Sequence, residues 1–286
     1  MIFVTGAAGK TGRAVLQSLV QKGVGATALV RSQQQADSLQ DIGSLDVVIG
    51  DLRKPETFEH KFQKSDFLYY ICPNISPDEL EIGKSLITLC QKFHFQRFVF
   101  HSVLHPQVEA MPHHWQKLRM EEALFESGLE FTILQPCAYM QNILTGWQRI
   151  TKGEYIIPYQ VQTRISMVDL QDVGEVAAKV LIEQGHENAI YELSGPEPLS
   201  QVDAARQMSE MLGFPIRAVE QPRSEWKMNV QLSGLPDFQI NVLLKMFEYY
   251  DKFGFIGNPN VMEQLLGRKL TTFKQFLVRI LSSGDE

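Results

Sequence analysis

The chain has 286 residues, 44% of them hydrophobic, enough to bury the core of one large domain or of a domain with a lobe grafted onto it. Its 27 Lys and Arg against 33 Asp and Glu give a formal charge of −6, with no basic run to follow a phosphate backbone, which sets nucleic acid aside as a partner. The three cysteines, Cys72, Cys90 and Cys137, fall far apart, so neither a disulfide nor a zinc framework is indicated, and no window reaches the roughly 18 apolar residues of a membrane span.

In chain order, MIFVT, ATALVR, LDVVIG, DFLYYIC, RFVFHS and LEFTILQP read as short apolar strands. Between them lie segments of helical period: GRAVLQSLVQKG, QQADSLQDIG, PETFEHKFQK, PDELEIGKSLITLCQKF and the stretch around MPHHWQKLRMEE. This alternation specifies βαβ units, and right-handed crossovers then place helices on both faces of a mainly parallel sheet, a doubly wound α/β fold. After Pro136 the pattern loosens. AYMQNILTGWQRITKG reads as a helix, EYIIP and TRISM as short extended pieces, DLQDVGEVAAKVLIEQ as a helix opening on Asp169, AIYELSG as a strand and LSQVDAARQMSEMLG as a helix, with mostly helical sequence from Pro222 onward. The expected organisation is a doubly wound core over residues 1–136 and a mixed segment over 137–286 that completes the sheet and forms a smaller, mostly helical C-terminal lobe. MIFVTG enters a strand directly rather than through a secretory leader, and with the scattered cysteines it points to a cytoplasmic protein.

The first strand runs into TGAAGKTGRAV, with glycines at 6, 9 and 12 opening a helix. One glycine permits the tight turn, one lets backbone approach a pyrophosphate, and Gly12 lets helix pack closely on strand. The helix N-terminus offers N–H groups and partial positive charge to the phosphates, with Thr5, Lys10 and Thr11 flanking the glycines. At the end of the second strand an NAD-binding chain would place an acid for the ribose hydroxyl, about 20 residues past the loop. Here stand Arg31 and Ser32, and a guanidinium pairs with a 2′-phosphate, so the cofactor expected is NADP, with NADPH preferred over NADH. Asp51 and Leu52, in GDL after the third strand, are placed to reach the adenine edge, although an aspartate in a turn needs no ligand.

With TGAAGKTG, Arg31, GDL at 50–52 and YYICPN at 69–74, the chain resembles the NmrA-like group of atypical short-chain dehydrogenases. HSVLHP at 101–106, LQPCAYMQN at 134–142, VDLQDVGEVAA at 168–178 and LLGRKLTTFKQFL at 265–277 extend the resemblance over nearly the whole chain. It implies a Rossmann-type fold, and either a reductase of quinones, isoflavones or triarylmethane dyes or a regulator that binds NADP without turnover. It also implies that Gly6, Gly9, Gly12 and Arg31 hold the cofactor, while Ile71, Cys72, Pro73 and Pro136, which opens the loop after Gln135, border the nicotinamide. Typical short-chain dehydrogenases use a serine after the fifth strand and a tyrosine one helical turn before a lysine, the phenol supplying the proton. Ser102 and Lys117 match the serine and the lysine, and His113 stands where the tyrosine would be.

His113 and Lys117 would share a helix face, and the lysine would depress the charged form of the imidazole. Three roles are open to His113: proton or hydrogen-bond donor, wall of the substrate pocket, or polar residue at a helix start. Losing the phenol favours an acceptor that delocalises or cancels the arriving charge. The expected activity is therefore NADPH-dependent hydride transfer to a planar, apolar, electron-poor acceptor such as a quinone, iminium compound or enone. The alternative is a non-catalytic NADP(H) sensor that regulates a protein partner; a homodimer is compatible with either. His114, Trp115, Tyr139, Met140 and Trp147, with Tyr155, are the residues expected to line the substrate pocket, roofed by the C-terminal substrate lobe. No metal is expected despite His101, His105, His113 and His114, because acidic ligands at metal spacing are missing. Cys72 and Cys137 read as buried thiols, and Phe247, Tyr249 and Tyr250 as core or pocket lid rather than a docking surface.

Overall fold

The computed structural model describes residues 1–43, 45–64, 66–73 and 75–283; Asn74 of the YYICPN motif lies outside them. In chain order the elements are β1 (Ile2–Val4), α1 (Lys10–Gln21), β2 (Ala26–Val30), α2 (Gln33–Asp37), β3 (Asp46–Ile49), β4 (Phe67–Tyr70), α3 (Glu79–Lys92), β5 (Arg97–His101), α4 (Pro112–Phe125) and β6 (Phe131–Pro136). There follow α5 (Trp147–Ile150), β7 (Glu154–Ile157), β8 (Arg164–Ile165), α6 (Leu170–Ile182), β9 (Ala189–Leu193), β10 (Leu199–Ser200), α7 (Gln201–Leu212), β11 (Arg217–Glu220), α8 (Arg223–Leu232), α9 (Asp237–Phe253), α10 (Asn260–Leu266) and α11 (Phe273–Ser283). They gather into two compact units, one of Met1–Gln107, His113–Pro136 and Leu170–Tyr191, the other of Val108–Pro112, Cys137–Asp169 and Glu192–Glu286.

The first unit is built on a seven-stranded sheet in the order β3-β2-β1-β4-β5-β6-β9, and each pair from β3 to β6 is parallel. Strands β1, β2, β5 and β6 are buried throughout, as a sheet covered on both faces requires, whereas β3 at the edge buries only Val48. On one face Leu68, Leu86, Phe98, Phe100, Met120 and Leu124 are fully buried, each worth ~1.5–3 kcal/mol of burial. On the other, α1 packs against α6 so closely that a Cβ on Gly174 would stand 2.8 Å from the Ala14 carbonyl carbon.

PETFEHKFQK, expected as a helix, forms two 3-10 turns, Pro55–Thr57 and Glu59–Lys61, joined at Phe58 with φ −137. Phe58 and Phe62 face the core as helical spacing implies, and Phe62 packs edge-on against Phe3 at 4.8 Å. Burial of the two rings is satisfied without the helix. QQADSLQDIG likewise divides into α2 and a 3-10 turn at Gln40–Ile42.

In the second unit, AYMQNILTGWQRITKG is a 3-10 stretch over Met140–Gly146 followed by the single turn of α5, in place of the expected helix. β7 pairs in parallel with β11, and β8 pairs antiparallel with β10. α7 carries its start and stop in sequence: Ser200 and Asp203 form a reciprocal capping box, and Gly213 ends the helix at φ 78. Phe247 and Tyr250 of α9 are core residues, their rings packed on Tyr159, Trp226 and Phe255. No helix among the described residues is long and apolar enough to cross a membrane.

Candidate functional site

The sheet order reverses between β1 and β4, and in doubly wound sheets ligands bind beyond the carboxyl ends of the strands at such a switch point. Thr5 fastens the two strand ends there. Its hydroxyl donates to the Ile71 carbonyl at 2.9 Å and accepts from the Ile71 N–H at 2.8 Å. Gly6 then takes φ +58, and a Cβ at that position would meet the Ile71 side chain at 3.1 Å. At Gly12 a Cβ would stand 2.6 Å from the Ala7 Cα and 2.8 Å from its carbonyl oxygen, so only glycine lets α1 start this close to the loop. Gly9 caps α1 without a side chain, and no acid stands in the first turn, leaving the dipole end uncompensated. Gly6, Gly9 and Gly12, with Thr5, Lys10 and Thr11 around them, therefore fit a pyrophosphate.

Arg31 lies at the other end of that cradle, exposed, with no ion-pair partner among the described residues. Its backbone N–H donates to Gln35 Oε1 at 2.8 Å, and Ser32 caps α2 by accepting from the Gln35 N–H at 3.3 Å, so the backbone is fixed while the guanidinium is not. Asp51 Oδ1 accepts from the Arg53 N–H at 3.0 Å and is thus engaged in its own turn, with Leu52 against the core. After β4, Ile71 and Pro73 are half-buried and Cys72 is buried, its thiol pushed up to about 12 by burial and then by Glu79. Pro136 ends β6 and accepts from the Leu104 N–H at 2.9 Å.

The beginning of α4 rests over the ends of β5 and β6. Lys117 Nζ is 2.6 Å from Glu79 Oε1 at the start of α3, 3.5 Å from the His101 carbonyl oxygen, and 5.3 Å from the centroid of the Phe100 ring. Burial alone would lower the lysine, but Glu79, with Cys72 and Glu121, outweighs it and holds the ammonium above its ordinary value. Ser102 does not stand free: its hydroxyl donates to Glu121 Oε1 at 2.5 Å, and Gln135 Nε2 donates to both oxygens of the same carboxyl at 3.0 Å. Burial raises the Glu121 carboxyl.

His113 is pushed down to about 2, by burial first, then by His114 and Lys117. The imidazole is neutral at ordinary pH, and its Nδ1 is buried with no partner among the described residues. It can offer or accept a hydrogen bond but is no imidazolium acid. His114 is buried, bonded through Nδ1 to the His105 carbonyl at 3.2 Å, and held at about 4 chiefly by burial. Trp115 faces outward. In the second unit Met140 is buried with its N–H on the Val168 carbonyl at 3.0 Å, Tyr139 bridges to Val168, and Trp147 opens α5 half-buried. Cys137 is buried there, its thiol pushed up to about 12 by burial.

Sequence reasoning missed Glu79, Glu121, Gln135 and the buried pair of Tyr69 OH and His101 Nδ1 at 2.7 Å. Only Glu121 carried a signal, standing one helical turn after Lys117 on the same face. Glu79 reads in sequence as an acid in a helix's first turn.

Among curated proteins, the chain is 28% identical over 279 residues to an NAD(P)H azoreductase of Xenophilus azovorans, covering 96% of each chain. It is 27% identical over 241 residues to a photosystem II assembly factor of Synechocystis sp., covering 77% of this chain and 70% of the other. Two solved structures share the fold. One is an NADPH-dependent quinone oxidoreductase of Escherichia coli complexed with NADPH, at TM-score 0.83 and 22% identity over 98% of this chain and all of the other. The other is a triphenylmethane reductase of Citrobacter sp. complexed with NADP(H), at TM-score 0.84 and 23% identity over 98% and 99% of the two chains. The model of the NmrA-like family matches residues 1–277, and the chain belongs to that family.

Proposed function

We propose that the protein is an NADPH-dependent oxidoreductase that transfers hydride to a planar, apolar, electron-poor acceptor. The observation that carries this is the glycine cradle at the N-terminus of α1, which has no side-chain cap, with the Arg31 guanidinium, exposed and without an ion-pair partner among the described residues, beyond the neighbouring strand. The first suits a pyrophosphate and the second a 2′-phosphate. The cofactor supplies the hydride. Lys117 is the residue assigned to the nicotinamide ribose, and Ser102 to holding the end of β5 through Glu121.

The acceptor class follows from what flanks Lys117. His113 is neutral, Ser102 is committed to Glu121, and the Lys117 charge is met by Glu79. A simple ketone, which becomes an alkoxide on hydride addition, finds no proton-donating acid among these three residues. A quinone or enone delocalises that charge and takes its proton from water, and an iminium compound is neutralised by the hydride and needs no proton. The azo, quinone and triphenylmethane chemistry in the names of the relatives is of this kind. The three free, buried thiols suit a reducing cytoplasm.

The test is loss of NADPH absorbance with purified protein and a panel of quinones, enones, iminium compounds and cationic dyes, with NADH alongside and simple ketones as controls. Turnover on conjugated acceptors, faster with NADPH, is the expected outcome; turnover restricted to simple ketones would refute the acceptor class. A second reading, a sensor that binds NADP(H) and acts on a protein partner, is favoured by the same commitment of Ser102 and Lys117 to internal partners and by the assembly-factor relative. It predicts tight NADP(H) binding, different affinities for the two redox states, and no turnover.

A further inference from the structure

Lys117 presents a problem of charge balance. A buried ammonium without a counter-charge releases its proton, because burial penalises the charged form. In the tyrosine-containing arrangement that the sequence resembles, the ionisable phenol one turn earlier stands beside the lysine. Here that place holds His113, whose ring is neutral and whose Nδ1 has no partner among the described residues.

Among the described residues, none of the other ionisable groups facing Lys117 brings a full negative charge into contact with it. The Cys72 thiol, from the loop after β4, stays protonated to about 12. His101 on β5 and His114 on α4 are neutral, held at about 3 and about 4. Glu121, also on α4, is raised by burial and bonded to Ser102 and Gln135. The counter-charge arrives from a different helix. Glu79, 2% exposed at the first position of α3, reaches the Lys117 ammonium at 2.6 Å.

We infer that Glu79 takes over the tyrosine's place as electrostatic partner of Lys117, acting as a positioning residue that keeps the ammonium charged and fixed where NADPH would be held. The inference rests on the cofactor reading above. Glu79 Oε1, the His101 carbonyl and the Phe100 ring set three directions around Nζ, and only the first carries a formal charge. Without Glu79, burial is opposed only by the carbonyl, the ring and Glu121 one turn further along α4, and the balance shifts towards the neutral amine.

The test replaces the charge and keeps the shape, in Glu79→Gln. The Lys117 ammonium is followed by nitrogen NMR in the cofactor-free protein, and the NADPH dissociation constant by nicotinamide fluorescence from pH 6 to 9. In the parent, Lys117 stays charged throughout and NADPH affinity changes less than about twofold from this cause. In Glu79→Gln the lysine titrates more than about one pH unit lower, and affinity matches the parent near pH 6 and weakens roughly tenfold by pH 9. Glu79→Asp restores the flat profile, and Glu79→Gln with Lys117→Met abolishes the pH dependence. Equal lysine titration in parent and Glu79→Gln, or an affinity loss of the same factor at every pH, would overturn the inference and leave Glu79 a merely structural residue. If Glu79→Gln alone does not fold, folding of the double variant shows the uncompensated ammonium to be the fault, and failure of both overturns the inference. A parent that binds no NADPH refutes the cofactor reading instead, and the NMR titration still judges the pair.

Discussion

Arg31→Ala separates recognition of the 2′-phosphate from recognition of everything else in the cofactor. The backbone of Arg31 is held by Gln35, and Ser32 caps α2 independently, so removing the guanidinium leaves both of these hydrogen bonds in place. Stability should stay within about 0.5 kcal/mol of the parent. A charge-assisted contact to a phosphate contributes ~1.5–3 kcal/mol when shielded from water. Arg31 is exposed, so salt and solvent reduce that, and about 1–2 kcal/mol is the figure to expect, or roughly 5–30-fold in affinity. The loss should fall on NADPH, with NADH affinity almost unchanged, and should shrink as ionic strength rises. Fluorescence titration of both nucleotides at low and high salt measures it. If Arg31→Ala keeps the parental preference, or loses both nucleotides by the same factor, Arg31 is not the selector.

Gly12→Ala puts a methyl 2.6 Å from the Ala7 Cα, backbone against backbone; thermal unfolding should show a loss of at least ~2 kcal/mol, and nucleotide affinity should fall with it. A variant as stable as the parent would mean that the loop yields easily. Ser102→Ala leaves the buried Glu121 carboxyl to Gln135 alone, and denaturant titration should register ~1–3 kcal/mol; a neutral result would mean that water replaces the hydroxyl. His101, His113 and His114 are held at about 3, about 2 and about 4, burial being the first cause in each. The unfolded chain binds protons that the folded one refuses, so their contribution is fully present above about pH 6.5 and is lost as pH falls towards 4, at ~1.4 kcal/mol per pH unit for each ring. Urea midpoints should therefore drop steeply between pH 7 and 5, and a flat midpoint over that range would contradict the burial of the three imidazoles.

What could be read from the sequence was local or periodic. Strands β1 to β6 and helices α1, α3, α4 and α6 follow from apolar runs and helical spacing, and the cradle from three glycines placed at the first strand-to-helix turn. Misreadings arose where burial at helical spacing was met by another backbone path, as at Phe58 and Phe62, or where the partner lay far along the chain. RAVE becomes β11 only by pairing with β7, 63 residues earlier at Arg217 and Glu154, and nothing in either tetrapeptide announces the other.

The site divides in the same way, and the division has a physical reason. Recognition of a phosphate uses backbone geometry and a helix end, both of which are written as a short motif. Charge balance around Lys117 uses side chains that meet only in the fold: Glu79 is 38 residues from Lys117, and Ser102 is 19 from Glu121. Exchange of a tyrosine for His113 looks in sequence like the loss of a proton donor. In the structure it is also the loss of a possible countercharge, and an acid on α3 stands in the position to supply it. A chain can therefore depart from a familiar residue pattern and keep the electrostatics of a charged lysine, provided that another helix delivers the carboxylate. Under the proposed function, that substitution would narrow the chemistry to acceptors that need little acid assistance.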